Sequence, residues 1–137
     1  MLESVEEPVA LPLVPPTLRV VPMPYDANHN GDIFGGWIMS QVDVAGGVEA
    51  CRRAQGRVTT VAVNSFIFKQ PVRIGDVVSF YATIIETGRT SMKVDVAVYA
   101  ERNLAEPQVV KVTEAVLTYV AINQQGAKRP LPAAIKI

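Results

Sequence analysis

A single long helical segment followed only by strand-like segments is the feature that most constrains how this chain folds. Residues 36–54 are the one long helical candidate, and Gln55–Gly56 ends it, with the cations Arg52 and Arg53 in the last turn. Strands are predicted at 17–21, 57–68, 77–86, 91–101 and 109–122. Because most connections between the strands are short, they should form an antiparallel sheet. The simplest two-layer arrangement is an α+β fold in which this curved, five-stranded sheet wraps around one long central helix.

Apolar residues lie nearly all round the predicted helix, which is typical of a buried helix. One curved sheet covers only part of such a helix, so we expect a second subunit to cover its outer side. Asp43 is the single charge between Gly36 and Gly47, and a buried carboxylate is costly unless something compensates it. This acid is therefore either neutralised and structural, or poised for chemistry.

Small residues recur on the face of the helix that carries the acid. Spacings of four, three, four and three place five residues in one stripe: Gly36, Ser40, Asp43, Gly47 and Ala50. Small side chains leave room for a ligand or another backbone. The first free N–H groups of the helix, at Gly35 and Gly36, suit an oxygen that gains negative charge. The arrangement indicates attack on an acyl carbon; the alternative is a structural Asp bonded to a neighbouring strand.

Composition narrows the function classes. A chain of 137 residues with a formal net charge of zero predicts one domain and gives no support for nucleic-acid binding. No apolar run is long enough to span a membrane. One cysteine, Cys51, and one histidine, His29, argue against a zinc site, and we expect no metal. The acidic start is unlike a signal peptide, which favours the cytoplasm. Residues 1–16, with four prolines, are predicted to be a loose arm, residues 17–132 the domain and residues 133–137 a tail.

Five groups of residues in this order and spacing resemble one family. They are 26–43, 61–63, 68–72 with 75–76, 88–91 and 113–122. The pattern resembles the hotdog-fold acyl-CoA thioesterases of the YciA type, which are related to the brain-type cytosolic acyl-CoA hydrolases. The resemblance extends over roughly residues 17–132.

The resemblance implies hydrolysis of acyl-CoA to free fatty acid and CoA, without a separate cofactor. It also implies that Asp43 is the essential helix aspartate and that Asn28 is the second polar catalytic residue. In the family these two residues meet across a homodimer interface, and dimers group into hexamers, as trimers of dimers. A backbone N–H near Gly35–Gly36 would hold the thioester oxygen, while Asp43 acts either as a general base for water or as a nucleophile.

Further residues are candidates for substrate contacts. Phe34, Met39, Thr60 and Asn64 are predicted to line the thioester pocket. CoA carries phosphates, which basic side chains bind well. The predicted CoA-binding residues are Arg89 with Thr90 and Ser91, then Arg57, Lys128 and Arg129.

Three charged or titratable residues are given other roles. His29 is expected to be an exposed loop residue, and Asp32 a turn or capping group. Glu114 interrupts an apolar strand, so we expect it to pair with a basic residue across subunits.

Two other functions on the same fold are alternatives: a non-catalytic acyl-CoA-binding protein and a dehydratase. The combined set of Asn28, Gly35–Gly36 and Asp43 favours a hydrolase over a sensor that only binds. The segment Phe34-Gly35-Gly36-Trp37 fits the thioesterase pattern better than the dehydratase one. A purely structural domain is a third alternative, which the costly Asp43 disfavours.

Overall fold

A computed structural model describes residues 9–134, so positions 1–8 of the predicted arm and 135–137 of the predicted tail lie outside the described residues. These described residues form five strands and one long helix. Their bounds are β1 Leu18–Val20, α1 Gly35–Ala54, β2 Val58–Phe68, β3 Val77–Thr87, β4 Ser91–Arg102 and β5 Gln108–Ala121. A single 3-10 turn at Pro24–Asp26 lies in the loop before α1. Among the described residues no helix is long and apolar enough to cross a membrane.

The five strands form one sheet in the order β1-β3-β4-β5-β2, and every neighbouring pair is antiparallel. The α+β fold and the predicted number of strands are therefore confirmed. Each predicted strand agrees with an observed one to within a residue or two at either end, because alternation and turn residues mark these hairpins clearly. Helix α1 begins one residue earlier than predicted, at Gly35, with Phe34 at the N-cap.

The core lies between one face of the sheet and one face of α1. Alternate residues of β4 point into it and are buried: Met92, Val94, Val96, Val98 and Ala100. The helix contributes Ile38, Val42, Ala45, Gly46, Ala50 and Ala54. Gln55, in the left-handed conformation at φ 52°, ends the helix, and its N–H bonds to the Cys51 carbonyl.

The prediction that α1 is buried all round is wrong for a single chain. Only one face packs on the sheet, and on the outer face Met39 and Val44 are 43% and 51% exposed. Asp43 lies on this outer side and is exposed, so the cost of burying it does not arise within one chain. An apolar helix face without a cover is unusual for an isolated subunit.

Strand β2 is at the edge of the sheet. It pairs with β5 on one side, and register shifts between Thr60 and Ala62 and between Val63 and Ser65 interrupt this pairing. Several large apolar side chains of β2 are about half exposed: Val61, Val63, Ile67 and Phe68. Edge strands with exposed apolar residues are ready to pair with another chain.

Candidate active site

Asp43 is held by two hydroxyl donors on one of its carboxylate oxygens. The Thr60 hydroxyl donates to Asp43 Oδ1 at 2.7 Å, and the Tyr119 hydroxyl lies 2.9 Å from the same oxygen. The Tyr119 hydroxyl is also 2.9 Å from the Asp43 backbone carbonyl. Within residues 9–134 no donor contacts Oδ2, which leaves this oxygen free on the exposed side of the helix.

The sheet brings both hydroxyls to the helix. Thr60 of β2 and Tyr119 of β5 are paired neighbours in the sheet, and Tyr119 faces α1 with 1% of its surface exposed. Burial is the main reason that the pKa of the Tyr119 phenol lies well above its usual value of 10, and the Asp43 carboxylate adds to the effect. The phenol is therefore protonated at physiological pH and acts as a donor. The residue carried no functional prediction from the sequence.

Gly46 makes room for this phenol. A Cβ atom at Gly46 would lie 2.4 Å from the Tyr119 hydroxyl oxygen and 3.0 Å from Cζ, which is closer than side chains pack. The adjacent Gly47 is different, since a Cβ there would meet Tyr119 only at an ordinary 3.9 Å. Gly46 thus lets the tyrosine reach Asp43 from beneath the helix.

The N-terminus of α1 presents free donors beside a cavity. Trp37 and Ile38 N–H both bond to the Phe34 carbonyl, whereas the N–H groups of Gly35 and Gly36 have no acceptor within the described part of the chain. A cavity of about 390 Å³ opens here, lined by Ile33, Gly35, Ile38, Phe68, Lys69, Gln70 and Pro71. Free N–H groups at a helix N-terminus suit an oxygen with developing negative charge.

Asn28 organises the loop before the helix. Its Oδ1 accepts the N–H of Asn30 at 2.9 Å and that of Asp32 at 3.2 Å. The side-chain oxygen is therefore occupied, and the Nδ2 amide protons are what Asn28 can offer to a ligand. No hydrogen bond joins Asn28 to Asp43 within residues 9–134. His29 is exposed, as expected.

The predicted pocket residues are not all in one place. Thr60 contacts Asp43. Met39 lies on the outer side of α1 and Phe34 immediately before the helix, and both are about half exposed. Asn64 is elsewhere, because its Oδ1 accepts the Thr118 hydroxyl at 2.6 Å. Thr118 and Tyr119 are consecutive in β5, so their side chains point to opposite faces of the sheet. The structure therefore places Asn64 away from the carboxylate.

The predicted CoA-binding residues meet at one end of the sheet. The Arg57 guanidinium donates to the carbonyls of Asn123 and Gln124, and Arg129 donates to that of Ile122. These two cations hold the segment after β5 in place. The side chains of Arg89 and Lys128 make no hydrogen bond within residues 9–134, and both are exposed.

The residues around Arg89 fix the turn between β3 and β4 through their backbone. The Thr90 carbonyl accepts the Ala121 N–H, and the Ser91 carbonyl accepts the Gly88 N–H. The Arg89 carbonyl accepts the Leu131 N–H, so the segment after β5 also holds this turn.

Glu114 pairs with Lys111 of its own strand, so the prediction of a partner in another subunit is wrong for this contact. Lys111 also lies 5.7 Å above the Tyr99 ring. The hydrogen bond from Lys111 holds the pKa of the Glu114 carboxyl below its usual range.

Within residues 9–134 no three His, Cys, Asp or Glu side chains are grouped to hold a metal ion.

Comparison with known proteins agrees with this geometry. Residues 30–107 match the model of the thioesterase superfamily. The acyl-CoA thioester hydrolase YciA of Salmonella typhimurium is 47% identical over 117 residues, which cover 84% of this chain and 88% of that protein.

Solved structures give the same result. A hexameric thioesterase from Yersinia pestis superposes with a TM-score of 0.83 at 46% identity, covering 90% of this chain and 100% of that one. A hexameric hotdog-fold thioesterase of Campylobacter jejuni has a TM-score of 0.83 at 40% identity, covering 87% and 91%. The chain therefore belongs to the thioesterase superfamily, as a hotdog-fold member related to the YciA acyl-CoA thioester hydrolases.

Proposed function

We propose that this protein is an acyl-CoA thioesterase, which hydrolyses acyl-CoA to a free acid and CoA. The observation that carries the proposal is an exposed carboxylate, Asp43, anchored through one oxygen on the same helix whose first N–H groups are free. This combination supplies a base or nucleophile and an oxyanion site, which acyl transfer requires. The Salmonella typhimurium relative, an acyl-CoA thioester hydrolase, matches 84% of this chain, which supports the same substrate class here.

The thioester would lie along the outer side of α1. Its carbonyl oxygen would accept the N–H groups of Gly35 and Gly36, and its acyl chain would enter the cavity beside Phe68. Of the predicted CoA-binding cations, Arg57 and Arg129 are bonded to backbone carbonyls, so Arg89 and Lys128 are the two that would bind the CoA phosphates. No metal or cofactor is needed for this chemistry.

Asp43 has two possible roles. As a general base it takes a proton from water, the water oxygen bonds to the acyl carbon, the C–S bond breaks and the CoA thiolate leaves and is protonated. As a nucleophile it displaces the thiolate itself to give a mixed anhydride, which water then hydrolyses. In both routes Oδ2 is the available oxygen, since Oδ1 already accepts two hydroxyls.

We further propose that the site is completed by a second copy of the chain, in dimers that group into a hexamer. Among residues 9–134, Asn28 and Asp43 are not bonded, nothing covers the outer face of α1, and β2 has an open edge. The solved relatives from Yersinia pestis and Campylobacter jejuni are hexameric. Asn28 of the partner subunit would then offer its Nδ2 protons to the thioester or the water. Cytoplasmic location and a role in fatty acid metabolism stay predictions.

The test is release of free thiol from a panel of acyl-CoA substrates by the purified protein and by Asp43→Asn. The variant should lose about 10²–10⁴-fold in kcat, because a positioned base contributes this much. Asp95→Asn is the matched control. Asp95 lies between the core residues Val94 and Val96 in β4, so its side chain points to the face of the sheet away from α1, and the variant should keep the wild-type rate. Size-exclusion chromatography should show the same assembly for both variants.

Near-normal turnover by Asp43→Asn would contradict the catalytic role assigned to Asp43. Binding of CoA without thiol release by the wild-type protein would instead support the non-catalytic alternative, and hydration of an enoyl-CoA would support a dehydratase. A single turnover in heavy-oxygen water separates the two routes for Asp43. Label in the Asp43 side chain, found by peptide mass spectrometry, indicates the anhydride.

A further inference from the structure

We infer that Tyr119 is a positioning residue for Asp43, which fixes the carboxylate through Oδ1 and thereby selects Oδ2 as the reacting oxygen. The inference rests on the proposed hydrolysis of acyl-CoA. It assigns a role to a residue of β5 that is 76 positions away from Asp43 in the sequence. Tyr119 itself touches no substrate, because it is buried beneath the helix.

The contact geometry distinguishes Tyr119 from an ordinary hydroxyl neighbour. Its single proton is shared between two acceptors of the same residue, Asp43 Oδ1 and the Asp43 backbone carbonyl, each at 2.9 Å. The phenol therefore restrains the backbone and the side chain of Asp43 together. Thr60 donates to the same Oδ1 at 2.7 Å, so rotation of the carboxylate would break two hydrogen bonds at once.

Burial makes this restraint stiff. The ring of Tyr119 is 1% exposed and comes from the second-to-edge strand of the sheet, so it does not move independently of the core. The helix accommodates the hydroxyl only because residue 46 is glycine, whose Cβ would otherwise lie 2.4 Å away. Glycine in a helix interior is unfavourable, which indicates that the approach of Tyr119 to Asp43 matters more than local helix stability.

A structural explanation predicts a different outcome. A buried tyrosine hydroxyl usually finds some hydrogen-bond partner, and if that were its whole role, loss of the hydroxyl would lower stability alone. A positioning role also affects the reaction. Without the hydroxyl the carboxylate rotates more freely, so Oδ2 is less well positioned for the reaction. This effect acts on the catalytic step rather than on substrate binding.

The experiment compares the kcat and KM of Tyr119→Phe with those of wild type in acyl-CoA hydrolysis. We expect kcat to fall about 10–100-fold while KM stays within about twofold, as for a group that acts on the catalytic step. Tyr99→Phe is the matched control: its ring packs edge-on against Tyr81 at 5.7 Å, away from Asp43. It should leave both kcat and KM unchanged.

The possible outcomes are separable. If the wild-type protein hydrolyses no acyl-CoA, the proposed function fails and the role of Tyr119 falls with it. If wild type is active and folded Tyr119→Phe keeps its kcat, the inference is overturned, even when the variant melts at a lower temperature. If Tyr119→Phe does not fold, 3-fluorotyrosine placed at position 119 decides. Its stronger donor should change kcat while KM stays the same, and an unchanged kcat overturns the inference.

Discussion

The contact between Gly46 and Tyr119 makes a sharp prediction for the substitution Gly46→Ala. The added Cβ would lie 2.4 Å from the phenolic oxygen, so Tyr119 or the helix must shift. Overpacking of this kind costs about 1–3 kcal/mol, and loss of the hydrogen bond to Asp43 costs about 1 kcal/mol more. The better helix propensity of alanine offsets about 1 kcal/mol of this loss in stability. We expect a net loss of about 1–3 kcal/mol, together with a fall in thioesterase kcat as Asp43 loses its anchor.

Gly47→Ala is the matched control, because the same substitution one residue along meets Tyr119 at only 3.9 Å. It should be neutral or stabilise by up to about 1 kcal/mol. Thermal unfolding at one fixed protein concentration measures both variants, since assembly makes the midpoint depend on concentration. Adding Tyr119→Phe removes the closest atom, so Gly46→Ala should cost less in that background than in wild type. Equal costs in the two backgrounds would refute the clash as the cause, as would equal effects of the two alanine substitutions.

Two other predictions concern charges away from the site. Asp76 is 2% exposed and accepts Arg102 Nε at 3.1 Å and the Arg73 N–H at 2.9 Å, so Asp76→Ala should lower stability by about 3 kcal/mol. Glu86→Ala, which removes an exposed pair with Lys93 at 3.7 Å, should cost at most about 1 kcal/mol. Urea titrations measure both variants, and equal losses would contradict the role of burial. Burial and, to a smaller extent, repulsion by Glu114 raise the pKa of Asp95 in the folded protein. The charged form of Asp95 therefore lowers stability above this raised pKa. Asp95→Asn should therefore raise the melting temperature by about 1–3 °C at pH 7, and the gain should disappear below its ordinary pKa of 3.8; a gain that persists there would contradict this reasoning.

The sequence predicted the elements of this fold well because each is marked locally. Alternation in 91–101 and the turn at Gly88–Arg89 identify the hairpin of β3 and β4, and Gln55–Gly56 marks the end of α1. The degree of burial of α1 was not predictable in the same way. Its apolar residues lie both on the face that packs on the sheet and on an outer face that the described part of the chain leaves uncovered, and composition does not distinguish these two faces.

The candidate site was predicted only in part, for a physical reason. Asp43 stands out because it is a lone charge, and Gly35–Gly36 because they lie where the helix begins. Tyr119 sits in a row of buried strand residues, where an aromatic side chain is ordinary, and its hydroxyl meets Asp43 only through the sheet register. Two signals could have pointed to it: a tyrosine needs a partner where a phenylalanine would not, and Gly46 lies one turn after Asp43. The contact between Asn64 and Thr118 was not predictable either, because the register shifts on β2 break the simple alternation of faces.

The loop that carries Asn28 is already ordered within one chain. Asn28 Oδ1 accepts two backbone N–H groups. The Phe34 N–H donates to the Asp26 carbonyl, and the Ile33 N–H donates to the Val72 carbonyl. The conformational entropy of this loop is therefore lost when the chain folds, not when subunits meet or substrate arrives. Association then has only to bring two finished surfaces together. An enzyme built in this way should reach its full rate as soon as its subunits have assembled, with no slow activation afterwards.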